Sequence, residues 1–279
     1  MTKPAPLPSS EIELQLLLDA IYHRYHYDFR EYAQSSLRRR LAAAMTRFRC
    51  RSLSQLQDRL LHEPEVFAQM LDFLTVQVSE MFRDPPYFLA VREKVVPLLR
   101  TYPSLKIWVA GCSGGEEVYS LAILLQEEGL LDRTMIYATD INPHALQKAQ
   151  DGVFPLDRIA GFTENHRRSG GKGSLSEYYT AAYGAAKFDR ALREHMVFSD
   201  HSLATDSVFA EVQFVSCRNV LIYFDRALQD RAVGLFRDAL CRKGFLGIGS
   251  RESLRFSAVA GEFLELDREN RVYQKRGPV

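Results

Sequence analysis

Cysteine is scarce in this chain of 279 residues, which has four of them and no C-x-x-C pair. A zinc site or a disulfide framework is therefore not expected, and free thiols fit a reducing cytoplasm. Long hydrophobic runs are also missing, since no stretch approaches the roughly 18 apolar residues of a membrane-spanning helix. The first residues lack the apolar core of a signal peptide. We therefore expect a cytoplasmic protein with no membrane insertion.

Excess charge of either sign is absent too, because 36 Lys and Arg balance 35 Asp and Glu almost completely. This balance argues against nucleic acid as the partner and leaves only local patches for electrostatic steering. The clearest patch is the predicted helix SLRRRLAAAMTRF, in which apolar residues share one face and arginines lie roughly opposite. From the residues alone, this face is either solvated or a docking surface.

The pattern of the chain changes near residue 102. The earlier part predicts four helices and no strong strand. The later part alternates helices with short apolar runs rich in β-formers, which are KIWVAG, MIYATDI, HMVFSD, VQFVSCRN and GFLGIGS. This alternation predicts an α/β fold with a mainly parallel sheet covered on both faces. Residues 161–190 interrupt it and are predicted to form a loop with a small excursion.

The first of these strands is followed by a glycine-rich turn, VAGCSGGEEVYS. The turn lacks both the G-x-G-x-x-G of dinucleotide sites and the Gly-Lys-Ser/Thr of a P-loop. Gly111 and Gly115 let the backbone approach a ligand, but Glu116 and Glu117 would repel a pyrophosphate. One interpretation is that both glutamates only stabilise the helix N-terminus.

The next strand favours a ligand instead. Asp140 ends that strand, where an acidic residue binds ribose hydroxyls in nucleotide folds. An adenosine ligand that carries a cation satisfies both features, and S-adenosylmethionine is such a ligand. Its ammonium suits a carboxylate near the turn, with Glu116 the preferred contact, and Asn219 at the end of a further strand is a candidate to bind its polar edges.

Several motifs occur in an order that resembles the CheR family of bacterial chemotaxis methyltransferases. They are LTVQVSEMFRD, IWVAGCSGGEEVYSLAI, IYATDINPHALQKAQDGVF, HSL and SCRNVLIYF. The resemblance implies an all-α N-terminal domain over residues 1–88, a linker to about 102, and a Rossmann-like S-adenosylmethionine-dependent methyltransferase domain over 103–279. It also implies a small antiparallel β-subdomain inserted at about 161–195.

The resemblance implies an enzyme that methylates glutamate side chains on the cytoplasmic helices of chemoreceptors, leaving S-adenosylhomocysteine. It favours docking through Arg38, Arg39, Arg40 and Arg47, and a receptor C-terminal tail is a further candidate partner. A monomer is the default. The implied cofactor contacts are Gln77, Ser79, Arg83, Gly111, Glu116, Asp140, Ser202, Leu203, Asn219 and Val220. This sequence departs from the family's common residues at Gln77, Ser79 and Ser202.

A glutamate carboxylate is ionised at neutral pH, so its methylation needs no general base. The site must position and desolvate that carboxylate. Arg83 is the candidate to hold it, because a guanidinium grips a carboxylate in a fork; the alternative is a structural ion pair between Arg83 and Asp84. Tyr223 is the second catalytic candidate, and its alternative is a core aromatic. No metal ligands are expected.

Two other functions stay open. Asp84-Pro85-Pro86-Tyr87 spells the DPPY of methyltransferases that act on amino groups of DNA bases or of protein. The two prolines more simply break a helix and start the linker. A sensor that binds S-adenosylmethionine without catalysis is the other alternative, and the retained candidate residues argue against it.

Overall fold

A computed structural model describes residues 7–277 of the chain. The chain folds into two compact units. The first runs to Val76 and also includes Tyr223–Leu228, and the second comprises Gln77–Ile222 and the described residues from Gln229 onward. In the part that the structure describes, no helix combines the length and the hydrophobicity that crossing a bilayer requires.

The first unit is helical. Its helices are α1 (Ser9–Tyr25), α2 (Gln34–Phe48), α3 (Leu53–His62) and α4 (Pro64–Leu74). In α2, Leu37, Leu41 and Phe48 recur at helical spacing and are all buried. The N-terminus of α3 is capped by Ser52, whose hydroxyl accepts a hydrogen bond from the backbone N–H of Gln55.

A segment distant in sequence completes this unit. Tyr32 and Phe224 form an isolated antiparallel bridge, and their ring centroids lie 5.0 Å apart. The N–H of Ala33 donates to the carbonyl of Tyr223 at 2.9 Å, and the N–H of Asp225 donates to the carbonyl of Glu31 at 2.9 Å. Tyr223–Leu228 is therefore tied to the loop before α2 on both sides of the bridge.

The second unit is built on a seven-stranded sheet in the order β6-β2-β1-β7-β8-β10-β9. Its strands are β1 (Leu105–Ala110), β2 (Thr134–Asp140), β6 (Met196–Asp200), β7 (Val212–Cys217), β8 (Leu240–Ile248), β9 (Phe263–Asp267) and β10 (Val272–Lys275). Neighbours from β6 to β8 pair in parallel, whereas β10 is antiparallel to both of its neighbours. Strand order reverses at β1, which creates the crevice where ligands bind in such sheets.

A small antiparallel sheet in the order β3-β5-β4 accompanies the large one. Its strands are β3 (Val153–Pro155), β4 (Tyr179–Ala182) and β5 (Ala185–Phe188). An all-α unit followed by a mainly parallel sheet with a small antiparallel one confirms the predicted fold class.

The remaining helices are α5 (Pro85–Ala90), α6 (Val96–Leu99), α7 (Glu116–Glu127), α8 (Pro143–Asp151), α9 (Ile159–Arg168), α10 (Arg190–Arg193) and α11 (Arg226–Ala239), with a π-helical turn at Val91–Val95. Two segments differ from the sequence expectation. Pro85 and Pro86 were expected to break a helix and start the linker, but they begin α5, because the first helical turn needs no backbone N–H. The segment expected to be a loop after residue 161 starts within α9.

Candidate functional site

The turn between β1 and α7 follows the carboxyl end of β1, beside the reversal of strand order. Gly111 has a φ of +71°, and a Cβ built on it would lie 2.4 Å from Cγ2 of Val220. Gly115 has a φ of +93°, and a Cβ there would lie 2.8 Å from Cβ of Ala149. Both positions require glycine, because a side chain would be strained and would displace its neighbour. The predicted residues Gly111 and Val220 are thus in contact.

Asp140 lies at the end of β2 and fixes the same turn. Its Oδ2 accepts a hydrogen bond from the N–H of Ser113 at 2.8 Å, and its Oδ1 accepts one from the N–H of Asn142 at 2.9 Å. Burial raises the pKa of Asp140, and nearby Asp200 adds to this, while the backbone donors oppose it. The carboxyl group is therefore held by main-chain groups beside the turn, the position expected for a ribose contact.

The two glutamates of the turn have different surroundings. Glu116 is 5% exposed, and its Oε1 accepts a hydrogen bond from Nη1 of Arg158 at 2.8 Å. Its Oε2 is buried and has no hydrogen-bond partner among the described residues. Glu117 instead accepts hydrogen bonds from the hydroxyl of Ser216 at 2.6 Å and from Nη1 of Arg218 at 3.2 Å. Only Glu116 offers an unused buried acceptor, which suits a ligand with a cationic donor.

The first motif meets the turn through two contacts. Oε1 of Gln77 accepts a hydrogen bond from the hydroxyl of Ser113 at 2.6 Å. The carbonyl oxygen of Ser79 accepts one from Nη2 of Arg158, the residue that also contacts Glu116. Gln77 is therefore joined to the turn between β1 and α7, and Ser79 is joined to the arginine that contacts Glu116.

Arg83 lies in a strained part of the chain. The residues on either side of it, Phe82 and Asp84, have left-handed φ values of 51° and 57°. Its Nη1 donates to the carbonyl of Val78 at 3.3 Å, and within residues 7–277 the guanidinium forms no ion pair. Asp84 pairs with Arg218 instead, at 2.8 Å. The alternative of an Arg83–Asp84 ion pair is therefore wrong, because another arginine occupies that carboxylate.

Arg218 is a buried residue beside Arg83 that the sequence did not single out. Its side chain is 1% exposed, and its Nη2 donates to both Oδ2 of Asp84 and the carbonyl of Arg83, each at 2.8 Å. Nη1 donates to Glu117, and the guanidinium carbon lies 4.1 Å from the ring centroid of Tyr87. Arg218 thus joins the backbone at Arg83 to α7. The sequence carries a signal for it, since an arginine at the end of an apolar strand must find partners.

Asn219 and the residues after it depend on a second missed residue, Glu252. Asn219 has a φ of +62°, and its N–H donates to Oε2 of Glu252 at 3.1 Å. The same carboxylate accepts from the N–H of Ile222 at 3.3 Å and from that of Gly249 at 2.5 Å. Burial raises the pKa of Glu252, and these backbone donors oppose the increase. A 4% exposed carboxylate therefore shapes the turn that presents Asn219 and Val220.

The turn after β6 contains Ser202 and Leu203. The N–H of His201 donates to the carbonyl of Asp140 at 3.4 Å, so this turn begins beside the end of β2. The N–H of Ser202 donates to Oδ2 of Asp206 at 2.8 Å, and its hydroxyl accepts from the N–H of Ala204 at 3.3 Å. Leu203 is buried. The hydroxyl of Ser202 is thus used within its own turn.

The arginines of α2 fall into two groups. Arg39 and Arg47 are exposed, and Arg38 pairs with Glu11 at 2.8 Å. Arg40 is only 8% exposed; it donates to the carbonyl of Leu74, and its guanidinium carbon lies 4.5 Å from the ring centroid of Tyr223. The prediction of Arg40 as an exposed docking residue is wrong, because the helix turns it toward α4 and the Tyr223 segment.

Tyr223, the second catalytic candidate, is grouped with the first unit. Its ring packs on Arg40, and its carbonyl oxygen accepts the hydrogen bond from Ala33. Among residues 7–277, no group of three or more His, Cys, Asp or Glu is arranged to hold a metal ion.

The sheet order and the glycine-rich turn beside Asp140 define a Rossmann-like methyltransferase fold, and comparisons with known proteins agree. Residues 77–268 match the model "CheR methyltransferase, SAM binding domain", and residues 12–75 match "CheR methyltransferase, all-alpha domain". The chain belongs to the CheR methyltransferase family, and it is an S-adenosylmethionine-dependent methyltransferase. The unused Oε2 of Glu116 and the backbone cradle at Gly111 fit this cofactor.

Several relatives share most of their length with this chain. The Pseudomonas putida protein Cher3, named as a methyltransferase, is 57% identical over 96% of this chain and 98% of its own. The chemotaxis protein methyltransferase of Listeria innocua is 28% identical over 81% and 84%. Chemotaxis protein methyltransferase 2 of Pseudomonas aeruginosa is 29% identical over 77% and 76%. Among solved structures, PKMT2 from Rickettsia typhi with AdoHcy overlaps 62% of this chain and 26% of its own, at 13% identity and a TM-score of 0.37.

Proposed function

We propose that this protein transfers a methyl group from S-adenosylmethionine to glutamate side chains of chemoreceptors, as a monomer in the cytoplasm. The products are glutamyl methyl esters, which serve sensory adaptation. The observation that carries the proposal is the half-buried guanidinium of Arg83, which has no carboxylate partner in residues 7–277 although an aspartate adjoins it in sequence. A cation in this state suits an incoming carboxylate. The names of the chemotaxis relatives support the receptor as substrate.

The cofactor in this proposal is held by groups around the turn after β1. Oε2 of Glu116 accepts a hydrogen bond from the ammonium group of the cofactor, and Asp140 accepts hydrogen bonds from the ribose hydroxyls of the cofactor. Gly111 and Val220 form an apolar wall where the backbone comes close, and Asn219 binds the polar edges of the cofactor. Gln77, Ser79, Arg83, Ser202 and Leu203 complete the proposed set of contacts. When bound, the cofactor supplies a methyl group on a sulfonium centre.

The chain's own part in the chemistry is positioning. The substrate carboxylate is ionised at neutral pH, so no side chain has to remove a proton. Arg83 orients it, and the backbone at Arg83 is itself held by Arg218. Tyr223 remains a proposed catalytic residue. We expect Tyr223→Phe to lower kcat while leaving S-adenosylhomocysteine affinity unchanged, because only a hydroxyl is removed.

The proposed docking surface is the exposed stripe of α2 formed by Arg39, Ala43 and Arg47, which recur every four residues. Acidic receptor helices complement such a stripe, and complementary charge speeds encounter. We expect the double variant Arg39→Glu/Arg47→Glu to raise KM for receptors at low salt. A matched control reverses two exposed arginines of the second unit, Arg255 and Arg268.

A receptor C-terminal tail is a further proposed partner, and the small sheet offers an edge for it. β4 is an edge strand, and Thr180, Ala181 and Ala182 are exposed. An extended peptide can add to such an edge through backbone hydrogen bonds. Comparing methyl incorporation into receptors with and without their tails tests this, and equal rates would remove the tail from the proposal.

The decisive experiment incubates the protein with labelled methyl donor and receptor-rich membranes. Alkali-labile label on the receptor supports the proposed ester. Stable label on DNA or on a protein amide would support the amino-group alternative, and binding without transfer would support the sensor. The amino-group alternative is disfavoured because Asp84 is occupied by Arg218 and the hydroxyl of Tyr87 is buried against Ser216 at 2.7 Å.

A further inference from the structure

Arg158 occupies a place that neither the sequence motifs nor the family resemblance assigns. It ends the short 3₁₀ turn Leu156–Arg158 just before α9, and its side chain is 38% exposed. The guanidinium carbon lies 4.8 Å from the ring centroid of Phe162, so the ring supports one face of the group. The guanidinium is thus positioned by a ring on the helix that follows it, α9.

The same guanidinium bridges two parts of the proposed cofactor site. Nη1 donates to Oε1 of Glu116 at 2.8 Å, and Nη2 donates to the carbonyl of Ser79. Its Nε donates no hydrogen bond within residues 7–277. A planar group held on two sides with donor capacity left is organised to bind a further acceptor.

The state of Glu116 indicates which acceptor this is. Arg158 uses only Oε1, and Oε2 is buried without a partner among the described residues. A ligand ammonium can therefore bind Oε2 without displacing Arg158. An amino-acid ligand carries its carboxylate on the same carbon as its ammonium, so the carboxylate is brought toward the cation that shares Glu116.

We propose that Arg158 binds the α-carboxylate of the cofactor's methionyl group, while Glu116 binds its ammonium. Together the two residues bind both charged groups of the amino-acid end, and they therefore select S-adenosylmethionine over adenosine compounds that lack such an end. This inference rests on the cofactor site proposed above.

The test is isothermal titration calorimetry with two probes, S-adenosylhomocysteine and its analogue without the carboxylate. We expect Arg158→Met to weaken binding of S-adenosylhomocysteine by about 10- to 100-fold, the range for charge-assisted hydrogen bonds. Binding of the decarboxylated probe should change less than about threefold. Arg158→Lys keeps the charge without the fork, so it should fall between. If Arg158→Met fails to fold, the Arg158→Lys variant is compared with the parent protein instead.

A matched control is Arg167→Met, which removes an exposed arginine of α9 that pairs with Glu164, and it should change neither affinity. An equal loss for both probes would overturn the inference, because it would mean that Arg158 only holds the turn. A gain in affinity would overturn it as well, since Arg158 would then compete with the ammonium. If the unaltered protein bound neither probe, the cofactor site itself would be misplaced.

Discussion

Replacing Glu252 with alanine should both destabilise the second unit and weaken cofactor binding. The buried carboxylate accepts hydrogen bonds from the backbone N–H groups of Asn219, Ile222 and Gly249. Each buried donor left unpaired costs about 1–3 kcal/mol, and the lower end applies where water can enter the space. Three donors at about 1 kcal/mol each predict a loss of about 3 kcal/mol in the free energy of unfolding. The left-handed Asn219 would also lose its support.

The assay is urea unfolding followed by calorimetric titration with S-adenosylhomocysteine. We expect Glu252→Gln to lose less stability than Glu252→Ala, since the amide keeps one acceptor oxygen. Some loss remains because the amide turns an N–H group toward a backbone donor. Glu269→Ala, which removes an exposed glutamate of the same unit, is the control. An unfolding free energy within about 0.5 kcal/mol of the parent would refute the reasoning. A large loss of stability with unchanged affinity would show that the carboxylate supports the fold but not the site.

Three further predictions concern other parts of the molecule. Gly111→Ala should lower the free energy of unfolding by at least about 1–2 kcal/mol in urea titrations, because left-handed strain is added to the folded state; adding Val220→Ala should recover only the part due to the steric clash. Burial alone would raise the pKa of Glu127, the last residue of α7. Its contacts with His166 and Arg92 outweigh burial and lower that pKa below the ordinary 4.5. A carboxyl group with a lowered pKa in the folded state stabilises the fold at pH values above its pKa in the unfolded state. This stabilisation is lost as the pH falls through its pKa in the folded state. In urea titrations, Glu127→Gln should therefore lower the free energy of unfolding by about 3 kcal/mol near pH 7, and by progressively less below pH 4.5. Arg40→Ala should lower the free energy of unfolding and with it the melting temperature. Arg39→Ala, at an exposed position, should leave the free energy of unfolding within about 0.5 kcal/mol of the parent.

The sequence allowed the central strands to be predicted because each is a short apolar run bounded by turn residues. β9 and β10 escaped prediction because they pair at the edge of the sheet, where much of Phe263–Asp267 is exposed and the apolar pattern is weak. α9 escaped it because Gly161 and many polar residues obscure a spacing that is visible once known: Ile159, Phe162 and His166 are its buried residues.

The candidate site divides in the same way. The turn residues Gly111, Glu116 and Asp140 follow local motifs, and spacing along the chain predicts their position. Their supports do not follow, because each acts across a long separation. Arg158 contacts Glu116 from 42 residues away, and Arg218 reaches Asp84 across 134 residues. One-dimensional patterns carry no information on which distant charge will pair with which.

The discontinuity of the first unit limits how this protein can be dissected. A fragment that ends at Val76 would lack Tyr223–Leu228, so Tyr32 would lose its bridge to Phe224. The helices cannot be exchanged with those of a relative as one contiguous block without breaking these pairings. Chimeric proteins should take both segments from the same parent, and substitutions in one segment should be compensated in the other when families of this kind are recombined.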